Sequence, residues 1–109
     1  MAYIKVLEQA ELPANKMVMV NAGGKEVLLA NVDGTYYAMA NKCTHLGGSL
    51  AKGMLEGNIV TCPKHGAQFD VTTGKAAGNA RVAFIKMPVK DEDVYRVKVE
   101  GTSIFVEIP

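Results

Sequence analysis

Glycine-containing turns divide this chain into short segments, and their spacing limits the folds that it can adopt. Apolar residues cluster in runs of about five, separated by turn residues at intervals of roughly 8–12, a pattern typical of an antiparallel sandwich or small barrel. Asp33-Gly34 is a strong hairpin signal between two such runs. Residues 94–99 and 104–108 form the clearest alternating pair, joined by a turn at 100–103.

The strands predicted from these runs are short and follow one another closely. They cover residues 3–8, 16–20, 25–32, 35–39, 54–55, 59–61, 68–71, 94–99 and 104–108, with no convincing helix between them. The acidic residues at 91–93 are interpreted as the solvated tip of a hairpin. We therefore expect an all-β fold in a single domain that covers residues 1–109.

The composition argues against several classes of protein. A chain of 109 residues with 49% hydrophobic residues is an ordinary globular domain, which buries roughly two thirds of its unfolded surface. Twelve Lys and Arg residues balance eleven Asp and Glu residues, too evenly for a nucleic-acid-binding protein. The first residues lack the pattern of a signal peptide, and no apolar run approaches the roughly 20 residues that span a bilayer. We expect a soluble cytoplasmic protein with no nucleic-acid or membrane partner.

Two short motifs, CTH and CPKH, contain every cysteine and histidine of the chain: Cys43, His45, Cys62 and His65. Two thiolates and two imidazoles make a complete set of four protein ligands for a metal centre. Each motif comes shortly after a predicted strand, so each would lie in a loop at a strand end. A disulfide between the two cysteines is disfavoured because the cytoplasm is reducing.

Three kinds of site could use these four residues. A structural zinc site usually orders its ligands as two cysteines followed by two histidines on a helix, whereas each motif here mixes the two ligand types. A thiol–histidine nucleophile needs only one of the motifs. A two-iron, two-sulfide cluster, with two cysteines on one iron and two histidines on the other, uses both. The pattern favours this iron–sulfur centre and leaves zinc as the main alternative.

The segments CTHLGGSL and CPKHGAQFDVTTGK resemble the two cluster-binding boxes of Rieske-type 2Fe–2S ferredoxins, of the low-potential, soluble kind that serves ring-hydroxylating oxygenases. The resemblance implies a stack of three antiparallel sheets with a small cluster-binding subdomain, whose loops cover about 41–50 and 61–70. It also implies one Rieske-type 2Fe–2S cluster as the cofactor. Its inner iron would be bound by Cys43 and Cys62, and its outer iron by His45 and His65.

Residues beside these ligands bear on the reduction potential. High-potential relatives in respiratory complexes join their two loops by a disulfide, and the matching positions here are Gly48 and Lys64. Those relatives also donate hydrogen bonds from a serine and a tyrosine, where this chain has Ala67 and Phe69. Since hydroxyl donors stabilise the negative charge of a reduced cluster, we expect a potential toward the bottom of the Rieske range, about −150 mV. Residues 75–86 correspond to a covering loop but lack its usual prolines.

These features predict a monomeric one-electron carrier and not an enzyme, since no catalytic acid, base or open coordination position is identified. By resemblance, a flavin-containing NAD(P)H-dependent reductase would donate the electron. A terminal oxygenase, or another acceptor such as a reductase, would receive it. Two alternatives stay open: the small Rieske-like subunit of a nitrite reductase, and a zinc-stabilised binding module.

Overall fold

Antiparallel strands make up most of the regular structure. The computed structural model describes residues 2–42, 48–63, 66–78, 80–82, 85–87 and 91–109. The strands in this part of the chain are β1 Ala2–Glu8, β2 Lys16–Ala22, β3 Lys25–Val32, β4 Thr35–Ala40, β5 Met54–Glu56, β6 Ile59–Thr61, β7 Gln68–Asp70, β8 Ala76–Gly78, β9 Ala80–Val82, β10 Ile85–Met87, β11 Val94–Tyr95, β12 Val97–Glu100 and β13 Ser103–Ile108. All pairings between them are antiparallel, which confirms the all-β expectation.

Helical structure in the described residues is limited to short pieces. Two single-turn 3-10 helices, Gln9–Glu11 and Leu50–Lys52, lie between strands. Within the described ranges, no helix has the length and apolar character needed to cross a membrane.

The described strands form three larger sheets and one separate hairpin. The middle sheet has the order β11-β4-β3-β2, the outer sheet β1-β13-β12, and the site sheet β5-β6-β7-β8. β9 and β10 pair with each other. The second Cys/His motif lies between β6 and β7 of the site sheet, which therefore corresponds to the small subdomain that the resemblance implies.

β3 explains why the three sheets stack. Its central run is buried on both faces, because successive side chains of a strand point to opposite sides. Leu28 lies in an apolar cluster with Val60 of the site sheet, whereas Leu29 lies in a second cluster with Ile104 of the outer sheet. The middle sheet is thus covered on both faces, and the predicted stack of three antiparallel sheets is confirmed.

The hairpin between β3 and β4 forms where the sequence predicts it. Asp33 and Gly34 both have positive φ, 51° and 92°, the combination that a two-residue type I′ turn requires. The side chain of Asn31 fixes the turn, since its Oδ1 accepts a hydrogen bond from the Gly34 amide at 2.8 Å. Its Nδ2 donates to the Leu12 carbonyl at 2.9 Å, which satisfies a buried amide group.

The predicted strand at residues 94–99 is in fact divided between two sheets. β11 pairs with β4 of the middle sheet, and β12 pairs with β13 of the outer sheet. The chain crosses between them at Arg96, whose carbonyl accepts a hydrogen bond from the Glu107 amide at 2.8 Å. Sequence alternation conceals the crossing, because Tyr95 and Val97 pack against the same apolar cluster.

The prediction of a solvated hairpin tip at residues 91–93 is wrong for its middle residue, since Asp91 and Asp93 are exposed but Glu92 is buried. Glu92 is only 6% exposed, and its amide donates to the Gly74 carbonyl at 2.7 Å. The Asp93 carbonyl accepts from the Ala40 amide at 2.9 Å. Gly74 has a φ of +77°, and a Cβ there would overlap the Glu92 carbonyl oxygen. The acidic segment therefore joins the middle sheet to the turn after β7.

The stretch at residues 75–86, expected as a covering loop, contains strands. β8, β9 and the first residues of β10 fall within it, and β8 extends the site sheet beside β7. Alanine and glycine are frequent in this stretch and are depleted in strands, so propensity does not reveal them.

Truncation of the two buried leucines of β3 tests the stack. We expect Leu28→Ala and Leu29→Ala each to lower the free energy of unfolding by about 2–5 kcal/mol, because each leaves a cavity in a buried cluster. Val94→Ala, at a position 47% exposed, should change it by less than about 0.5 kcal/mol. Urea denaturation followed by circular dichroism measures all three. A loss below about 1 kcal/mol for either leucine would mean that one face of β3 is poorly packed.

Candidate metal centre

Cys62 is the one of the four expected ligands that the structure describes, and it follows β6 directly. Its amide donates to the Ala67 carbonyl at 2.7 Å, and its carbonyl accepts from the Gly66 amide at 3.2 Å. These two bonds close a tight loop after the strand. Cys43, His45 and His65 lie outside the described residues.

The Cys62 side chain faces the core and is uncommitted. It is 3% exposed, forms no disulfide within the described part of the chain, and lies in the apolar cluster that contains Leu28, Leu50 and Phe69. A cysteine binds a metal as its thiolate, and the thiol of Cys62 is not consumed by a disulfide in the described structure, so its position is compatible with the expected role as an iron ligand.

Backbone pairing closes the base of the first loop. Lys42 and Ser49 form an isolated antiparallel bridge on the two sides of the segment that carries Cys43 and His45. Next to the bridge, the Leu50 amide donates to the Asn41 carbonyl at 2.8 Å. The Asn41 amide donates to the Glu26 carbonyl of β3 at 3.2 Å. The loop base is therefore fastened to the middle sheet.

Two residues that support the loops are not predicted from the sequence. Asn41 is fully buried, and its carboxamide bonds with the Ser49 hydroxyl and the Ala51 amide. Gly53 ends the short helix Leu50–Lys52 and lies directly against the Thr61 carbonyl, one residue before Cys62. Asparagine and glycine are common turn residues, so their positions near the motifs give no distinctive signal.

The turn after β7 is stabilised by a carboxylate. The Asp70 carboxylate accepts hydrogen bonds from the Thr72 hydroxyl at 2.6 Å and the Thr72 amide at 2.9 Å. The bond from the Thr72 hydroxyl is the main cause that lowers the pKa of Asp70 below its ordinary value of 3.8. The Asp70 carbonyl also accepts from the Gly74 amide at 2.7 Å, so this turn holds the end of β7.

The donor chemistry favours one type of centre. Soft thiolates and neutral imidazoles suit iron–sulfur clusters and zinc, whereas a site for magnesium or calcium needs oxygen ligands. In the described ranges, no group of three or more His, Cys, Asp or Glu side chains could hold a metal ion, so no rival site is found there.

Comparison with known families distinguishes between the two remaining candidates, an iron–sulfur cluster and a zinc ion. Residues 2–89 match the model of the Rieske [2Fe-2S] domain. The chain belongs to this family. The cofactor of the Rieske domain is therefore one Rieske-type 2Fe–2S cluster, and the zinc alternative is not supported.

Relatives of similar length agree with this assignment. The ferredoxin component of the naphthalene 1,2-dioxygenase/salicylate 5-hydroxylase systems of Ralstonia sp. is 36% identical over 98 residues, which cover 90% of this chain and 88% of the relative. The ferredoxin of carbazole 1,9a-dioxygenase from Nocardioides aromaticivorans IC177 superposes with a TM-score of 0.84 at 27% identity, over 97% of both chains.

A second solved structure is the complex of reduced oxygenase and oxidized ferredoxin in carbazole 1,9a-dioxygenase. One of its chains superposes with a TM-score of 0.83 at 28% identity, over 95% of this chain and 91% of that chain. These relatives are ferredoxin components of dioxygenase systems, which carry electrons. The present chain is therefore an electron carrier and not itself a catalytic enzyme, as the sequence predicts.

Removal of the Thr72 hydroxyl should change how stability depends on pH. Above pH 3.8 the ionised Asp70 accepts this bond and stabilises the folded state. As the pH falls toward the lower folded pKa, the unfolded chain binds the proton first and that stabilisation is lost. We expect Thr72→Val to lower stability near pH 6 and to reduce the difference in unfolding free energy between about pH 6 and pH 3.

Thr73→Val is the matched control, because the Thr73 hydroxyl accepts from the Lys75 amide and contacts no carboxylate in the described structure. Urea denaturation at each pH measures the difference. An equal pH dependence in Thr72→Val and Thr73→Val would contradict the assigned cause.

Proposed function

We propose that Cys43, Cys62, His45 and His65 bind the Rieske cluster on loops at about 41–50 and 61–70 of a single domain, 1–109. The two cysteines hold the inner iron and the two histidines the outer iron. Support comes from the family match, from the mixed order of the ligands in each motif, and from the buried, uncommitted thiol of Cys62.

The bound cluster supplies a one-electron couple. The residues around it keep the site rigid, which limits the rearrangement that accompanies a change of charge. The bridge between Lys42 and Ser49 and the bond from Cys62 to Ala67 close the two loops at their bases. Packing of Cys62, Ala67 and Phe69 in one apolar cluster restricts the second loop and keeps water from the inner side.

We infer that the acceptor is the terminal oxygenase of a multi-component ring-hydroxylating system. The observation that carries this inference is similarity over nearly the whole chain to ferredoxin components of dioxygenase systems, one of them in a complex with its oxygenase. A flavin-containing NAD(P)H-dependent reductase is the proposed donor. These relatives give no support to the nitrite reductase alternative.

The proposed carrier works as a monomer in the cytoplasm. A reducing compartment keeps both cysteines available as ligands. Size-exclusion chromatography with light scattering tests the monomer, and cell fractionation tests the location.

Electron transfer by the purified protein tests the ligand assignment. After reduction with dithionite, we expect a coloured protein with the rhombic EPR signal of a mixed-ligand 2Fe–2S cluster and two irons per chain. It should restore NADH-dependent substrate oxidation when added to a reductase and a terminal oxygenase of a dioxygenase system. Cys62→Ser and His65→Ala should lose the signal and this activity, because each removes one ligand.

Tyr37→Phe is a control that leaves the four ligands intact and should keep both properties. A colourless wild-type protein with one zinc per chain would overturn the assignment. A protein with a normal cluster that transfers no electrons to a terminal oxygenase would overturn only the proposed acceptor.

Phe69 provides a test of the low potential. It is fully buried in the apolar cluster that contains Cys62, and it stands at the position where high-potential relatives have a tyrosine. A charge-assisted hydrogen bond worth about 1–2 kcal/mol more in the reduced state raises a one-electron potential by roughly 40–90 mV. We expect Phe69→Tyr to raise the reduction potential within this range.

Phe105→Tyr, in β13 of the outer sheet, is the matched control and should leave the potential unchanged. Protein-film voltammetry measures both variants. A Phe69→Tyr potential equal to that of wild type would show that this position does not tune the cluster.

A further inference from the structure

The contacts of residues 41–42 and 48–53, on the two sides of the first motif, connect one motif-bearing loop to the other. The segment 41–53 contains the first motif, and its last residue reaches the strand that leads into the second. Positions 48 and 64 are glycine and lysine, so no disulfide can join the loops there. Apart from the proposed cluster itself, the contacts that hold the loops together must therefore be non-covalent.

The side chain of Asn41 spans the first loop from its start to its end. Its Nδ2 donates to the Ser49 Oγ at 2.9 Å, and its Oδ1 accepts from the Ala51 amide at 2.9 Å. Asn41 is fully buried, so water cannot replace either bond. One carboxamide thus fixes the chain before Cys43 relative to the chain after residue 48.

Gly53 continues this connection to the second loop. A Cβ at this position would overlap the Thr61 carbonyl oxygen and would lie 3.2 Å from the Cδ of Pro63. The steric overlap with the Thr61 carbonyl is by itself enough to require glycine at this position. Thr61 and Pro63, which a Cβ at position 53 would meet, are the direct neighbours of Cys62.

We propose that Asn41, Ser49 and Gly53 are positioning residues that form a non-covalent tie between the two ligand loops. The tie runs from the Asn41 carboxamide through Ser49 and Ala51 to the contact of Gly53 with Thr61. It sets the spacing of the loops and thereby the retention and reduction potential of the cluster. This inference rests on the ligand assignment proposed above.

A second buried asparagine provides the matched control. Asn31 is 5% exposed and also makes two side-chain hydrogen bonds, with Leu12 and Gly34, but it lies at the β3–β4 hairpin end. Asn41→Ala and Asn31→Ala therefore remove comparable buried groups. We compare the cluster-loaded proteins by iron release to a chelator, reduction potential, EPR g values and thermal midpoint.

Asn41→Ala should release iron roughly tenfold faster than wild type, the size of effect typical of residues that orient ligands. It should also shift the reduction potential and the EPR g values. Asn31→Ala should lower the thermal midpoint to a similar degree while its potential and g values stay as in wild type.

Milder variants cover the case in which Asn41→Ala does not fold. Ser49→Ala removes a single partner of Asn41, and Ser49→Thr keeps the hydroxyl, so Thr should rescue what Ala loses. Gly53→Ala should accelerate iron release because Cβ pushes the Thr61 carbonyl away. Gly34→Ala, where a Cβ meets nothing within 4 Å, is its control and should affect stability alone.

Two negative results have different meanings. The Ser49 and Gly53 variants are compared with Asn31→Ala and Gly34→Ala at equal thermal midpoints. If the Ser49 and Gly53 variants release iron no faster than these controls, and their reduction potential equals that of wild type, the tie is overturned. If the wild-type protein holds no 2Fe–2S cluster after anaerobic reconstitution, the ligand assignment is overturned first.

Discussion

Burial of β3 on both faces is the constraint on which the rest of this structure depends. A strand that is apolar on both sides needs a sheet on each side, and the chain supplies the outer sheet from its two ends and the site sheet from its middle. Full burial of a leucine side chain contributes about 1.5–3 kcal/mol, so Leu28 and Leu29 alone strongly favour the stack. The same arrangement positions the proposed ligand Cys62, which belongs to the apolar cluster that contains Leu28.

The site itself depends more on backbone hydrogen bonds than on side-chain networks. Lys42 and Ser49 form an antiparallel backbone bridge, and the Cys62 amide donates a hydrogen bond to the Ala67 carbonyl across its own loop. Such pairings fix a loop at its base without adding charged groups beside a redox centre. Asn41 adds a side-chain contribution, since its carboxamide bonds with a hydroxyl and a backbone amide eight and ten residues further along the chain.

Features set by local sequence could be predicted, and those set by distant contacts could not. The apolar run of β3, the hairpin at Asp33-Gly34 and the two Cys/His motifs each carry their signal within a few residues. The crossing at Arg96 and the burial of Glu92 depend on partners that are distant in sequence, at positions 107 and 74. Three acidic residues in succession predict a solvent-exposed segment. No local signal shows that Gly74, which has no Cβ, leaves space for the backbone carbonyl of Glu92.

The proposed role of Cys62 as a ligand would also couple the cofactor to the stability of the fold. With Cys62 as a ligand, as proposed, the complete ligand set would come together only in the folded chain, so cluster binding would favour the compact state over the unfolded chain. Any group that binds the folded state preferentially stabilises it by mass action. Because the same apolar cluster includes β3, the stabilisation reaches the middle sheet and is not confined to the loop. A carrier with a small core would thus gain part of its stability from the group that it carries.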